Sequence, residues 1–239
     1  MPVKEPITEV SPGVFRIPFF GKNYLANFSG RQFPNDKHAK FLNALGLQEE
    51  NLCRVKQVHG NRVIEASQTR LSPSRVEADG LHTAETGLVL GVLTADCVPV
   101  FFVDPVHRAV GLVHAGWRGI YAGIIPEMVK TLSQWFGAQP PKLQIAFGPS
   151  IRKCCYEVGP EFRDYFPGHY AEESFSSGQR RCVDLTGAIS ASLFAQGILP
   201  EHVFDTQICT SCQNDRFFSA RKDHGSPERI LSILQISSF

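Results

Sequence analysis

The sequence predicts an α+β fold: a single domain over residues 1–239, built on mixed, largely antiparallel β-sheets with flanking helices. Three observations carry that expectation. Apolar runs of strand length, rich in β-branched and aromatic residues, outnumber helical stretches. Several runs are joined by loops too short for a βαβ crossover. No Gly-, Ser- or Pro-rich linker divides the chain, the richest such stretches being the short ones at 72–74, 139–141 and 176–178. A chain of 239 residues is long enough to bury a substantial core.

In chain order, strands are predicted at about 13–20, 52–58, 62–66, 88–93, 98–103, 108–114, 142–147, 203–208, 216–221 and 229–236. The run ending in His59, followed by Gly60-Asn61 and then Arg62-Val63-Ile64, reads as a hairpin with a two-residue turn, which puts His59 at a strand end. VPVFFV (98–103) and RAVGLV (108–113) read as a second hairpin. Pairing Val103 with Arg108 across the four-residue loop 104–107 sets Cys97 directly opposite His114, with Cα atoms roughly 4.5–5.5 Å apart. A one-residue slip would undo that pairing. The first of three helices, about 36–45, starts after Asn35 or Asp36, buries Phe41, Leu42 and Leu45, and stops at Gly46. The second, about 120–136, buries Ile124, Ile125, Met128, Val129, Leu132 and Trp135 before Gly137. The third, about 185–196, begins after Asp184, buries Ile189, Leu193 and Phe194, and ends at Gly197.

Composition narrows the function. With Lys+Arg 24 against Asp+Glu 23, the chain lacks the electrostatic footprint of a nucleic-acid or anionic-membrane binder, which favours a small-molecule partner. MPVKEPITEV carries no apolar signal core, and no apolar run approaches the roughly 20 residues of a membrane helix. The expected location is therefore cytoplasmic. The sequence carries no signal for an oligomeric state. Seven irregularly spaced cysteines do not form a disulfide framework. Cys154-Cys155 and Cys209-Thr210-Ser211-Cys212 are two suggestive pairs, but an isolated Cys-x-x-Cys is a weak signal because structural zinc usually needs a second pair of ligands.

His59, Cys97 and His114 are the residues most suggestive of chemistry. Two imidazoles and a thiol make a first shell for zinc with one coordination position open, as catalytic sites require. Asp96 is next in line as a proton carrier or as support for a ligating histidine, although on one strand its side chain would point away from that of Cys97. Gln57, two residues before His59, would share its face and reach substrate. The second helix follows HAGWRG directly, so Arg118 and free backbone N–H groups would receive an anion there.

The strings QVHG (57–60), ADG (78–80), TADCVPV (94–100), HAGWRG (114–119), FGPSI (147–151), CYEVG (155–159), CT (209–210) and FFSAR (217–221) resemble the laccase-domain family, in order from about 52 to about 222. Members have been described as polyphenol oxidases and as purine nucleoside phosphorylases with added adenosine deaminase activity. The resemblance implies nucleoside and inorganic phosphate as partners, with Arg118 and Arg221 holding the phosphate. It matches Asn27, within GKNYLANFSGR, to a substrate-contacting Leu-Asn segment. Three departures stand out: the N-terminal Thr-Arg, Gly-rich segment is compressed to GKNYLANFSGR (21–31), Ala220 occupies an aromatic position of the pattern, and Glu228-Arg229 replaces a Gly-Arg pair.

Two other chemistries compete. Two His, one Cys and a weak axial Met form a blue-copper pattern, and Met128 is the only internal methionine, so copper and a polyphenol oxidase are the alternative to zinc. The eight histidines include no His-x-His pair from which to build a multicopper cluster. A metal-free cysteine hydrolase would use Cys97 as nucleophile, His114 as base and Asp96 or another carboxylate as orienter, which suits relatives linked to peptidoglycan editing. A zinc cytidine-type deaminase lacks its His-x-Glu signature before the CTSC pair.

Overall fold

The computed structural model describes residues 7–69, 76–175 and 178–237; residues 1–6, 72–74 and 176–177, considered above, lie outside them. The strands are β1 (Thr8–Ser11), β2 (Val14–Arg16), β3 (Tyr24–Ser29), β4 (Leu52–Cys53), β5 (Val63–Glu65), β6 (Gly80–Thr83), β7 (Val89–Thr94), β8 (Val98–Asp104), β9 (Ala109–Ala115), β10 (Gln144–Phe147), β11 (Tyr170–Phe175), β12 (Gly178–Val183), β13 (Val203–Asp205) and β14 (Ile230–Ile236). The α-helices are α1 (His38–Ala44), α2 (Trp117–Tyr121), α3 (Ile124–Phe136), α4 (Phe162–Tyr165) and α5 (Leu185–Ala195).

Two six-stranded sheets, in the orders β1-β2-β3-β14-β7-β4 and β13-β10-β8-β9-β6-β5, stand beside a β11-β12 ribbon. Pairing is antiparallel except for β4 with β7, β5 with β6, and β10 with β13. The fold is thus the mixed, largely antiparallel α+β architecture that the strand count implied. Phe15, Phe28, Leu90 and Leu234 of the first sheet pack against Leu81, Phe101, Leu112 and Phe204 of the second, so one apolar layer joins the sheets. The opposite face of the second sheet takes Met128, Val129 and Leu132 of α3 and Ile189 and Leu193 of α5. The outer face of the first sheet takes Phe41 and Leu42 of α1. Strands β8 and β9 are buried at every position, which explains why their sequence is continuously apolar rather than alternating.

The β8–β9 hairpin forms, with its loop moved by one residue. Asp104 pairs with Ala109, and the four-residue loop is 105–108. Asp104 causes the shift: its Oδ1 accepts the backbone N–H of Val106 at 2.9 Å and of His107 at 3.3 Å, and its Oδ2 lies 2.7 Å from His107 Nδ1. This side-chain turn makes Asp104 the last strand residue. His114 therefore faces Pro99, and Cys97, just beyond the last pair of Val98 with Ala115, stands opposite Gly116. Because the pairing moves by two positions, each side chain keeps its face.

The hairpin predicted around His59 does not form: β4 joins the first sheet beside β7, while β5 joins the second beside β6. The segment between them crosses from one sheet to the other. The second predicted helix is broken into α2 and α3 at Gly123, whose φ is +85°. The predicted strand at 216–221 is a series of turns. Strands β3 and β6, unpredicted, are interior rather than edge members of their sheets.

Candidate metal centre and its cavity

Ligand atoms of His59, Cys97 and His114 all lie within 4.8 Å of one another. Each comes from a different local structure. His114 is near the end of β9, Cys97 immediately precedes β8, and His59 sits in a turn at φ +60°, a left-handed conformation uncommon outside glycine. Asp79, fully buried just before β6, holds the His59 turn and His114 together. Its carboxylate accepts the backbone N–H groups of Val58 (3.2 Å), His59 (2.9 Å) and Gly60 (2.7 Å), and Oδ1 is 2.8 Å from His114 Nδ1. Its backbone carbonyl also accepts His114 N–H at 2.8 Å. One carboxylate thus fixes the turn that bears His59 and the ring that is His114, leaving His114 Nε2 to face the cluster. A carboxylate behind the second nitrogen is the usual support for a ligating histidine.

The glycines of HAGWRG have a steric purpose here. A Cβ at Gly116 would stand 2.9 Å from His59 Cδ2 and 3.0 Å from Cys97 Sγ, and one at Gly119 would stand 2.7 Å from the Gly60 carbonyl oxygen. Only glycine lets β9 and α2 approach the His59 turn this closely.

Electrostatics follow from the burial and the neighbours. Burial alone would raise the Cys97 thiol, but hydrogen bonds with His114 and His59 bring it down to about 6. Burial alone would lower the His114 imidazole, but Asp79 and Cys97 raise it to about 9. Burial works to raise Asp79, and the donors gathered on it, His114, Gly60 and Val58, leave it below the ordinary carboxylate range. Two imidazoles and a readily ionised thiol, converging with no side chain between them, fit a divalent transition metal.

The three donors open into a cavity of about 600 Å³, whose wall also includes Gln57, Asp96, Arg221 and Arg229 beside the apolar Val55, Leu93, Ala95 and Ala220. A recess lined by Trp117, Ile151, Tyr156 and Leu185 adjoins it at Asp96 and Cys97. Gln57 exchanges two 2.8 Å hydrogen bonds with the backbone of Leu93, so one N–H and one acceptor site of its amide remain for a ligand. Asp96 does not touch the histidines. Its Oδ1 accepts Thr210 Oγ1–H at 2.7 Å and its Oδ2 accepts the Arg221 backbone N–H at 2.7 Å. Arg221 itself donates to the Glu157 carbonyl at 2.9 Å and lies over Tyr156 at 5.5 Å. Arg118 is exposed and stacked on Trp117 at 4.3 Å, outside the lining of this cavity. Asn27 is also outside it, fully buried within β3 opposite Ile233. Sequence reasoning missed Asp79 and Arg229. A lone Asp between apolar residues in VEADGLH was the available signal for the first.

The family model of multi-copper polyphenol oxidoreductase laccase matches residues 33–237. The chain belongs to this family. Among family relatives, "Purine nucleoside phosphorylase YlmD" of Geobacillus stearothermophilus is 37% identical over 65% of the chain and 59% of its own length. Its crystal structure superposes with a TM-score of 0.87 at 27% identity, covering 97% of this chain and 99% of that one. "Purine nucleoside phosphorylase LACC1" of Homo sapiens is 30% identical over 88% of the chain, which spans 50% of that relative. "Adenosine deaminase RL5", from an unknown prokaryotic organism, is 35% identical over 74% of the chain and 72% of its own length. Among the described residues, no helix is long and apolar enough to cross a membrane.

Proposed function

We propose that the chain is a zinc-dependent purine nucleoside phosphorylase acting on the adenosine, inosine and methylthioadenosine class. One observation carries the reading: a three-donor group with an open side sits in a cavity whose wall also includes Arg221 and Arg229. The names of the relatives support it. Zinc on His59, Cys97 and His114 would act as a Lewis acid toward a phosphate or sugar oxygen and lower the pKa of a bound water to about 7.

The protein's own residues then divide the work. Arg221, whose Nη1 bonds the Glu157 carbonyl, and Arg229, whose Nη1 bonds the Ser226 and Glu228 carbonyls, supply positive charge and their remaining N–H groups to phosphate oxygens, so Arg229 takes the part that the sequence suggested for Arg118. Asp96 holds the Arg221 backbone in place and serves as the strut of that wall. Val55, Leu93, Ala95 and Ala220 present an apolar surface to a flat base, and Gln57 offers it a donor and an acceptor. In the reaction, a phosphate oxygen bonds to the anomeric carbon as the C–N glycosidic bond breaks; the electron pair leaves on the purine, which takes up a proton. The test is incubation of purified protein with each nucleoside, with and without phosphate, and chromatography of the products. Phosphate-dependent release of free base is expected. Phosphate-independent conversion of adenosine to inosine would move the assignment to deamination, and no turnover of any nucleoside would overturn it.

One observation favours a second reading. Cys97, His114 and Asp79 also line up as nucleophile, base and orienting carboxylate, the arrangement of a cysteine hydrolase. Full activity in metal-stripped protein, abolished by alkylating Cys97, would favour it.

A further inference from the structure

The two cysteine pairs that stand apart in the sequence meet in space. Sulfur atoms of Cys154, Cys155, Cys209 and Cys212 lie within 4.8 Å of one another, Cys209 buried and Cys154 and Cys212 at the surface. Three of the separations are 3.8 Å (Cys154–Cys155), 3.7 Å (Cys154–Cys212) and 3.4 Å (Cys155–Cys212). In a regular tetrahedron of sulfurs around zinc, with Zn–S of about 2.3 Å, the sulfurs stand about 3.8 Å apart. Adjacent residues usually diverge, but the backbone N–H groups of Cys155 and Tyr156 both bond the Arg152 carbonyl at 2.8 Å, and that turn brings both thiols to one side. The buried sulfur of Cys209 receives the backbone N–H groups of Cys212 and Arg152, the kind of support that surrounds a metal-bound thiolate. A disulfide would join only two of the four and leave the other pair unexplained.

We propose that these four cysteines form a second, closed zinc site that is structural rather than catalytic. It clips the 150–157 turn to the 208–213 turn, two segments otherwise joined by few hydrogen bonds: Ser150 N–H to Ile208 O (3.2 Å), Thr210 N–H to Ser150 O (3.1 Å) and Arg152 Nε–H to Ile208 O (3.1 Å). Both turns hold cavity residues, since Thr210 bonds Asp96 and the Glu157 carbonyl accepts Arg221. A metal staple supplies order to backbone that belongs to neither helix nor strand.

The site is separable from the cavity, and its test needs no substrate. The protein is purified under reducing, chelator-free conditions with zinc in the growth medium, and metal is counted by mass spectrometry. Two zinc ions per chain are expected in the unaltered protein, one in Cys97→Ser, and none in Cys97→Ser/Cys212→Ser. X-ray absorption at the zinc edge of Cys97→Ser should show four sulfur neighbours at about 2.3 Å. That spectrum decides the matter even if the double variant fails to fold. Folded Cys97→Ser carrying no zinc, zinc surrounded by nitrogen and oxygen, or a disulfide among these cysteines in the intact protein would each overturn the proposal. Failure of the phosphorylase reading would instead appear as absent phosphorolysis with both metals in place.

Discussion

The cavity has two walls built on different principles. The wall of His59, Cys97, His114 and Asp79 rests on β6, β8 and β9, whose register is set by side chains buried on both faces. Its positions are over-determined: Asp79 alone accepts three backbone N–H groups and one ring nitrogen. The facing wall of Arg221 and Arg229 hangs on the turns of residues 206–229, which contain neither helix nor strand; Asp96 reaches across to hold the Arg221 backbone, and Arg221 is exposed. The first arrangement suits a metal, which tolerates little error in ligand position. The second suits substrate selection, which tolerates change because loops on a rigid scaffold vary at low cost. Ala220 lines the second wall beside both arginines.

If the contrast is right, the largest losses come from the rigid wall. Asp79→Asn should destabilise the fold by about 3–5 kcal/mol, the range for removing one partner of a buried charged pair. It should also weaken zinc binding by about 10- to 100-fold, the range for losing the support behind a ligating histidine. Urea denaturation and competition with a chelator measure the two effects; a loss below about 1 kcal/mol would mean that Asp79 does not organise this wall. Gly116→Ala comes next. The added methyl meets Cys97 Sγ at 3.0 Å and His59 Cδ2 at 2.9 Å, so an overpacking cost of about 1–3 kcal/mol is expected, with metal lost before fold. An unchanged zinc content in this variant would show that the three donors do not share one ion.

The same contrast explains what the sequence revealed. The continuous apolar runs of β8 and β9 announced a buried hairpin, and the spread of His59, Cys97 and His114 around it announced their convergence. Hydrophobic pattern determines faces, so those residues were legible even though the loop register was off by one residue on each strand. The register itself depended on Asp104 bonding to its own turn, which periodicity does not encode. Strand β3 escaped notice because Asn27 and Ser29 interrupt its apolar pattern, although both are fully buried. The His59 segment resembled a hairpin because Gly60-Asn61 is a common turn, yet Asp79, distant in sequence, decides where that segment goes. The arginine wall was the least legible, since nothing local distinguishes Arg229, which lines the cavity, from Arg118, which lies on Trp117.

That difference between arginines gives the third test. Arg221→Ala should raise the phosphate KM about tenfold or more, equivalent to about 1.4 kcal/mol for a lost charge-assisted contact, with little change in stability. Arg118→Ala should leave the same constant within about twofold, because its guanidinium packs outside the cavity. The reverse order in steady-state kinetics would place the anion at the start of α2 instead.

The smallest effect probes a soft point behind the rigid wall. His82, in β6 three residues after Asp79, is 1% exposed and packs on Trp135 and Phe136 of α3, with ring centroids 5.1 and 5.6 Å away. Burial pushes its imidazole below the usual value, outweighing the nearby charge of Glu65, and burial does the same to His38 beneath Arg229. A depressed histidine contributes its full stability above the unfolded value of about 6.5 and loses it as pH falls toward the folded value, because only the unfolded chain takes up the proton. The free energy of unfolding should therefore decline below about pH 6.5, by up to about 1.4 kcal/mol per pH unit for each such group. His82→Phe keeps an aromatic ring against Trp135 and removes the titration, so urea unfolding at about pH 7.5, 6.5 and 5.5 should show a shallower decline, with the His38 contribution remaining. An identical decline in the variant would locate the acid sensitivity elsewhere.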